Sequence, residues 1–304
     1  MGFSHAYGAP TVKSEAVKII HEAFDYGCDF FDTAECYTGV NSDGTVSYNE
    51  EVVGEALKPV REKVVIATKF GVQHLGTSLK MDSRPETIRS SIEGSLKRLG
   101  TDYIDLYYQH RIDTKVSSED VASVMSKLIQ EGKIRTWGIS ETDEDYLRRA
   151  NAVCPVTAIQ NRYSMMARWH ESLFPILEEL NIAFVAFSPM GNGFLSGKYK
   201  PDDNFESSDF RSFMPQYTKE GFEMTRELLS LLEELAHKKN ATAGQISMAW
   251  MICKKPYIIP IPGSRKIERI KENFDAGKIL LTQQEIKMLD DKLDSMKFLI
   301  FGGH

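Results

Sequence analysis

The chain has 304 residues, of which 42% are apolar and 26% are charged, and its formal net charge is −6. This balance is typical of a globular protein with a substantial core, and we interpret residues 1–304 as a single domain. The acidic balance argues against nucleic-acid binding, and the apolar runs are too short to span a membrane. The four scattered cysteines predict reduced thiols in a cytoplasmic protein that has no metal site.

Short β-branched and aromatic segments alternate along the chain with amphipathic helical patterns. The predicted strands are Asp29–Thr33, Val64–Lys69, Tyr103–Gln109, Thr136–Ser140, Ala158–Asn161, Ala183–Ser188 and Tyr257–Ile261. The predicted helices are Glu15–Tyr26, Ser47–Leu57, Pro85–Leu99, Ser118–Gln130, Glu144–Ala150, Glu171–Leu180, Phe222–Lys239 and Ala243–Cys253, with a further one after a Thr282 cap. Residues 196–221 have little periodicity and predict a lid or specificity loop.

The alternation of strands and helices predicts parallel strands joined by right-handed crossovers. Seven apolar strands without a break in composition favour a closed (β/α)8 barrel, an α/β fold of the TIM type. A doubly wound sheet is the alternative, and it should carry a phosphate-binding glycine loop after its first strand. The Gly-x-Gly sequence of this chain, Gly191–Gly193, follows the sixth strand instead. The barrel is therefore the favoured architecture.

Ionisable side chains follow the predicted strands at their carboxyl ends, which share one rim in a barrel. Asp32 and Tyr37 follow the first strand, Lys69 ends the second, and His110 follows the third. Taken singly, Asp32 reads as a helix cap, Lys69 as a solvated strand end, and Tyr37 and His110 as packing residues. Such an accumulation on one rim is hard to explain by folding alone, and it indicates a shared chemistry.

That chemistry is general acid catalysis at a carbonyl group. Lys69 would keep its charge beside Asp32 and would lower the pKa of Tyr37 from its ordinary value of about 10. Tyr37 could then give a proton to a carbonyl oxygen that His110 holds by a hydrogen bond. Because no side chain supplies a hydride, the reaction would need a redox cofactor.

Several segments together resemble the aldo-keto reductase family, in its bacterial and plant-type branch. They are "FFDTAECYTG", "VVIATKFG", "YIDLYYQHRID", "TWGIS", "AIQNRYS", "AFSPMGNGFLSGKY" and "IPIPGSRKIERIKEN", and they span nearly the whole chain in the expected order. The resemblance implies a (β/α)8 barrel that binds NADP(H) without a Rossmann domain and reduces small aldehydes and ketones. It implies a catalytic tetrad of Asp32, Tyr37, Lys69 and His110, with Tyr37 as the proton donor.

The resemblance also implies a set of cofactor-binding residues. Ser140 and Gln160 would hold the nicotinamide carboxamide, and Phe187 would stack on its ring. The remaining implied positions are Ser188, Pro189, Met190 and Asn192 near the pyrophosphate, Ser264, Arg265 and Arg269 at the 2′-phosphate, and Glu272 and Asn273 at the adenine. The sequence "GSRKIERIKEN" is in itself a basic cluster at a helix start, which suits an anion site and favours NADPH over NADH, although a solvated helix face is the alternative.

Three features depart from the family pattern. Glu141 stands where the family usually has asparagine, and Asn192 stands where this branch often has arginine. The chain begins at "MGFSHAYG", which resembles the end of a first strand and its turn. We therefore expect most of that strand and the N-terminal hairpin to be missing, and the exposed strand edges to favour a homo-oligomer.

The sequence also suggests two alternative functions of other classes. A nucleotide-sensing or interaction protein, with precedent in the potassium-channel β subunits that share the scaffold, would bind NADP(H) with little turnover. A metal-dependent barrel hydrolase fits poorly, because His110 is the one histidine at a predicted strand end.

Overall fold

The computed structural model describes residues 2–4, 8–75, 78–206 and 209–302. Its strands are β1 (Phe30–Asp32), β2 (Thr38–Val40), β3 (Val46–Tyr48), β4 (Val65–Phe70), β5 (Val72–Leu75), β6 (Ser78–Met81), β7 (Ile104–Gln109), β8 (Ile134–Ser140), β9 (Ala158–Arg162), β10 (Ala183–Phe187) and β11 (Ile258–Pro260). Seven of them form one parallel sheet in the order β1-β4-β7-β8-β9-β10-β11, which is also their order along the chain.

The helices are α1 (Lys13–Asp25), α2 (Asn49–Leu57), α3 (Pro85–Leu99), α4 (Ser118–Gln130), α5 (Glu144–Val153), α6 (Phe174–Leu180), α7 (Lys219–Lys239), α8 (Ala243–Lys254), α9 (Ile267–Asp275) and α10 (Gln283–Asp294). Their ends follow from local sequence. Helix α3 begins at a proline and ends before Gly100, whose φ of 64° is the left-handed conformation that glycine tolerates. Thr242 and Thr282 form capping boxes that start α8 and α10.

The alternation along the sheet confirms the predicted α/β barrel architecture with seven recognisable strands. Among the described residues, β1 and β11 are the outer strands of the sheet and do not pair with each other. Residues 2–4 and 8–12 form no strand, while Met1 and residues 5–7 of the "MGFSHAYG" segment lie outside the described residues. None of the helices in the described part of the chain is long and apolar enough to cross a membrane.

The sheet separates a large core from a small one. Neighbouring residues of a strand point to opposite faces, so Ile66 and Tyr107 pack on the helix side, in the larger cluster. Ala67 and Tyr108 point to the other face and join Leu106, Ala158 and Val185 in the smaller cluster. This alternation decides which strand-end side chains turn into the interior of the barrel.

Most differences from the predicted elements concern boundaries. The predicted helix Ser47–Leu57 starts only at Asn49, because Val46–Tyr48 pairs with Thr38–Val40 as an antiparallel hairpin. The predicted helix Glu171–Leu180 becomes a 3₁₀ turn followed by α6. The expected long loop contains 3₁₀ turns at Phe210–Phe213 and Pro215–Tyr217 and ends where α7 begins at Lys219.

Candidate active site

Strand alternation brings Asp32, Lys69 and Gln160 together on the inner face of the sheet. Lys69 points to the same face of its strand as Ala67, and Gln160 to the same face as Ala158. Ala67 and Ala158 both belong to the smaller core. The Lys69 Nζ donates to Asp32 Oδ1 at 2.5 Å and to the Thr33 carbonyl oxygen at 2.7 Å. The Gln160 Nε2 donates to Asp32 Oδ2 at 2.8 Å. All three side chains are buried, so the carboxylate is held by an ammonium and an amide away from water.

Burial and charge act against each other at Lys69. Burial lowers the pKa of its ammonium, but the Asp32 carboxylate and Tyr37 raise it, and the net direction is upward from the ordinary value. Lys69 is therefore a permanent cation at neutral pH, as the sequence predicted.

Tyr37 lies beside this cation, in the segment that follows β1. Its ring centroid is 5.0 Å from Lys69 Nζ, and its carbonyl oxygen accepts a hydrogen bond of 3.0 Å from Asn49 N. The Tyr37 and His110 rings meet edge to face with their centroids 5.8 Å apart. The structure thus brings the four predicted catalytic residues into one group.

The expected lowering of the Tyr37 pKa is wrong. Burial raises the pKa of the phenol, Lys69 lowers it, and burial outweighs the cation, so that the net pKa is raised above its ordinary value. The influence of Lys69 has the predicted sign, but the sequence carried no measure of how deeply the phenol would lie. A raised pKa keeps the proton on Tyr37 at neutral pH.

Cys36 contacts this group at His110. Its Sγ lies 3.5 Å from His110 Nδ1, and both side chains are buried. Burial raises the pKa of the Cys36 thiol to about 12, so the sulfur remains a neutral thiol next to the imidazole.

Arg111 is a site residue that the sequence reasoning missed. Its Nη1 donates to the His110 carbonyl oxygen at 2.6 Å and to Ser140 Oγ at 3.0 Å. Its guanidinium carbon lies 5.8 Å from the centroid of the Phe187 ring. The sequence feature that could have identified Arg111 is its position directly after a strand-end histidine.

The segment after β10 presents the predicted pyrophosphate residues in strained backbone. Ser188 and Asn192 have φ values of 53° and 60°, in the left-handed region. Pro189 is buried and Met190 half-buried. The Asn192 side-chain oxygen accepts a hydrogen bond of 3.4 Å from Arg162 Nη1, and Arg162 lies 5.0 Å from the Phe187 ring centroid.

The basic cluster predicted for the 2′-phosphate gathers at the start of α9, but its guanidinium groups bond to protein acceptors. Arg265 donates to the carbonyl oxygens of Gly2 and Ala9 at 2.9 and 2.7 Å, while Arg269 donates to Glu272 at 2.9 Å. The Ser264 hydroxyl accepts from Lys266 N at 3.1 Å.

The two residues predicted at the adenine, Glu272 and Asn273, both lie on α9. The Glu272 carboxylate also accepts from Lys198 Nζ at 3.0 Å and from Thr242 Oγ1 at 2.8 Å. Asn273 is half-buried.

Glu141 has a structural partner in this arrangement. Its Oε1 accepts a hydrogen bond of 2.8 Å from the backbone N of Arg162, and its own φ is 56°. The carboxylate therefore ties the end of β8 to β9. No cluster of three or more potential metal ligands occurs in residues 2–4, 8–75, 78–206 and 209–302.

Comparison with known proteins assigns this arrangement to a family. The model of the Aldo/keto reductase family matches residues 1–294, and the chain belongs to that family. It is 38% identical over 290 residues to the "Probable aldo-keto reductase 1" of Glycine max, a match that covers 94% of this chain and 82% of that protein.

Solved structures of aldo-keto reductases are similar to this chain over nearly its whole length. The glycerol dehydrogenase AKR11B4 of Gluconobacter oxydans has a TM-score of 0.84 and 31% identity, covering 95% of this chain and 88% of that one. An aldo/keto reductase of Klebsiella pneumoniae, crystallised in complex with NADP and acetate, has a TM-score of 0.68 and 26% identity, covering 95% and 89%.

Proposed function

We propose that this protein is an NADPH-dependent reductase of small aldehydes and ketones, in which Tyr37 protonates the carbonyl oxygen. The observation that carries the proposal is the buried Lys69–Asp32 pair lying against Tyr37 and His110. Membership of the aldo/keto reductase family and the NADP bound in the Klebsiella pneumoniae relative support the reaction class and the cofactor.

Each residue of the group has a separate task. The Asp32 carboxylate keeps Lys69 protonated, and the Lys69 charge favours the phenolate that forms as Tyr37 gives up its proton. His110 holds the carbonyl oxygen within reach of Tyr37. NADPH, when bound, supplies the hydride that the carbonyl carbon accepts.

The residues around the group suit an extended dinucleotide. We assign Ser140, Gln160 and Phe187 to the nicotinamide, Ser188, Pro189, Met190 and Asn192 to the pyrophosphate, Ser264, Arg265 and Arg269 to the 2′-phosphate, and Glu272 and Asn273 to the adenine. The N-cap residue of α9, Lys266, makes no side-chain capping bond, and since the Arg269 amide donates to the Lys266 carbonyl oxygen, a phosphate there would take the amides of Ile267 and Glu268.

The test is aldehyde-dependent NADPH oxidation by the wild type and by Tyr37→Phe. Loss of the general acid should lower kcat about 10²- to 10⁴-fold, while the Kd for NADPH stays within about twofold because the ring remains. Tyr103→Phe is the matched control, since Tyr103 precedes β7 at the opposite end of the strand from His110.

Two results would contradict the proposal. A kcat in Tyr37→Phe equal to that of the wild type would exclude Tyr37 as the proton donor. Tight NADPH binding by the wild type without turnover of a broad aldehyde and ketone panel would instead favour the nucleotide-sensing alternative.

A further inference from the structure

Arg111 lies where three strand ends meet. Its hydrogen bonds reach His110, just after β7, and Ser140, at the end of β8, while its guanidinium faces Phe187, at the end of β10. The side chain is half-buried. It therefore points across the mouth of the barrel rather than out into solvent.

The charge of Arg111 has no carboxylate partner within the described ranges of the chain: its bonding partners there are a carbonyl oxygen and a hydroxyl. Its positive charge acts on the site, because it lowers the pKa of both Cys36 and Tyr37 against the larger effect of burial. A half-buried guanidinium with donors to spare is suited to an acceptor oxygen brought by a ligand.

Two neighbours of Ser140, Glu141 and Gln160, are poorly placed to donate. Glu141 is a carboxylate, which accepts only, and its Oε1 already receives the Arg162 amide. The Gln160 amide nitrogen donates to Asp32. Of these three neighbours, Arg111 is the one whose donor reaches the Ser140 hydroxyl.

We infer that Arg111 is a cofactor-binding residue whose guanidinium donates a hydrogen bond to the carboxamide oxygen of the nicotinamide. This assignment rests on the proposed function, which assigns Ser140 and Phe187 to the nicotinamide. It gives this chain a charged donor at the carboxamide, next to an acidic residue that cannot donate.

The experiment compares the binding of three reduced cofactors that differ only at the carboxamide: NADPH, its 3-acetylpyridine analogue, which keeps the carbonyl oxygen, and its thionicotinamide analogue, which replaces that oxygen with sulfur. Kd values are measured by isothermal titration calorimetry. The wild type should bind the thionicotinamide analogue about tenfold more weakly than NADPH, since sulfur is a poor acceptor, whereas the 3-acetylpyridine analogue loses the amide donor but keeps the oxygen that Arg111 would contact. In Arg111→Met this preference should disappear.

Two variants make the comparison selective. Arg162→Met removes the other guanidinium that faces Phe187, but Arg162 bonds to Asn192 rather than to Ser140. It should change the affinities for all three cofactors by the same factor and keep the preference for oxygen. Arg111→Lys keeps the charge and a donor, and should retain part of the preference, which also guards against a folding defect in Arg111→Met.

The outcomes separate the two proposals. An unchanged oxygen preference in Arg111→Met overturns the assignment of Arg111. The assignment is also overturned if Arg111→Met keeps the oxygen preference but loses activity selectively on carboxylate-bearing aldehydes. The guanidinium would then bind the substrate and not the cofactor. Failure of the wild type to bind any of the three cofactors would refute the proposed function itself, and the inference with it.

Discussion

The Lys69 side chain is 1% exposed and its ammonium lies 2.5 Å from Asp32, so its charge is balanced inside the barrel and not by water. Its folded pKa is raised above the ordinary 10.5. A cation with a raised folded pKa contributes stability that is fully present below its unfolded pKa and is lost as the pH rises through the folded one. The pair therefore stabilises the fold at neutral pH, and weakens only in strong alkali.

Breaking this pair on one side should be costly. We expect Asp32→Asn to lower the free energy of unfolding by about 3–5 kcal/mol, because it leaves a buried ammonium without a counter-charge. The double variant Asp32→Asn, Lys69→Met should recover most of that loss. Urea unfolding at pH 7 measures both changes.

The control for that comparison is an exposed pair. Lys287 and Asp291 lie 2.7 Å apart on the surface of α10, and Asp291→Asn should cost less than about 1 kcal/mol. A cost of that small size for Asp32→Asn would mean that water reaches Lys69 in solution.

At the scale of elements, Glu35 fastens the segment after β1 to the end of β4. Its backbone N donates to the Lys69 carbonyl oxygen at 3.1 Å, and its Oε1 accepts from Gly71 N at 2.7 Å. These two bonds bracket Phe70, directly after Lys69, and fix the segment that carries Tyr37. Burial raises the pKa of the Glu35 carboxyl group, and the hydrogen bond from Gly71 opposes that rise.

The raised pKa of Glu35 predicts a pH-dependent stability. Between the ordinary value of 4.5 and the folded pKa, the native state binds more protons than the unfolded chain, so the free energy of unfolding falls as the pH rises. Glu35→Gln keeps an acceptor for Gly71 but does not ionise. It should match the wild type at pH 4 and be the more stable protein at pH 8.

Urea midpoints of the two proteins at several pH values measure this difference. Glu35→Ala, which removes the acceptor as well, should be less stable than Glu35→Gln by about 1–3 kcal/mol at every pH. A wild type that gains stability over Glu35→Gln as the pH rises would show that the carboxylate is favoured in the fold.

The sequence predicted the elements whose pattern is strong. All seven strands of the parallel sheet were predicted, because each is an apolar run bounded by polar residues. The hairpin of β2 and β3 was missed, since its three-residue strands are half-exposed and show no alternation. Its signal was Asp43-Gly44 in the connection, where Thr45 N bonds to Asp43.

The same limit applies to the site. Strand-end positions were enough to place Asp32, Lys69 and His110 on one rim, because parallel strands end at a common edge. Directions of long side chains were not predictable, and that is why Arg111 was missed. The predicted direction of the Tyr37 pKa shift was wrong for a related reason, since the depth of burial is a property of the packed structure.

At the scale of the whole molecule, the N-terminal residues connect elements from the two outer strands of the sheet. Phe3 is buried, and its backbone N donates to Asn49 Oδ1 at 3.1 Å, at the start of α2 and near β1. Arg265, which follows β11, holds the carbonyl oxygens of Gly2 and Ala9. Residues 2–4 and 8–11 thus link the β1 side of the sheet to the β11 side.

Arg265 consequently has two tasks that can be separated by experiment. It anchors the N-terminal residues in the structure, and we also assign it to the 2′-phosphate. Arg265→Met should increase hydrogen exchange in a peptide covering residues 2–12, because two hydrogen bonds to that segment are lost. It should also reduce the ratio of NADH to NADPH Kd values about tenfold, the effect of losing one charge-assisted bond.

Arg269→Met is the matched comparison, because Arg269 bonds to Glu272 and not to the N-terminal residues. It should reduce the same Kd ratio while leaving exchange in residues 2–12 as in the wild type. Faster exchange with an unchanged Kd ratio in Arg265→Met would make Arg265 an anchor alone and remove it from the phosphate site. Unchanged exchange in Arg265→Met would show instead that Phe3 and Asn49 suffice to hold the N-terminal residues across the two sides of the sheet.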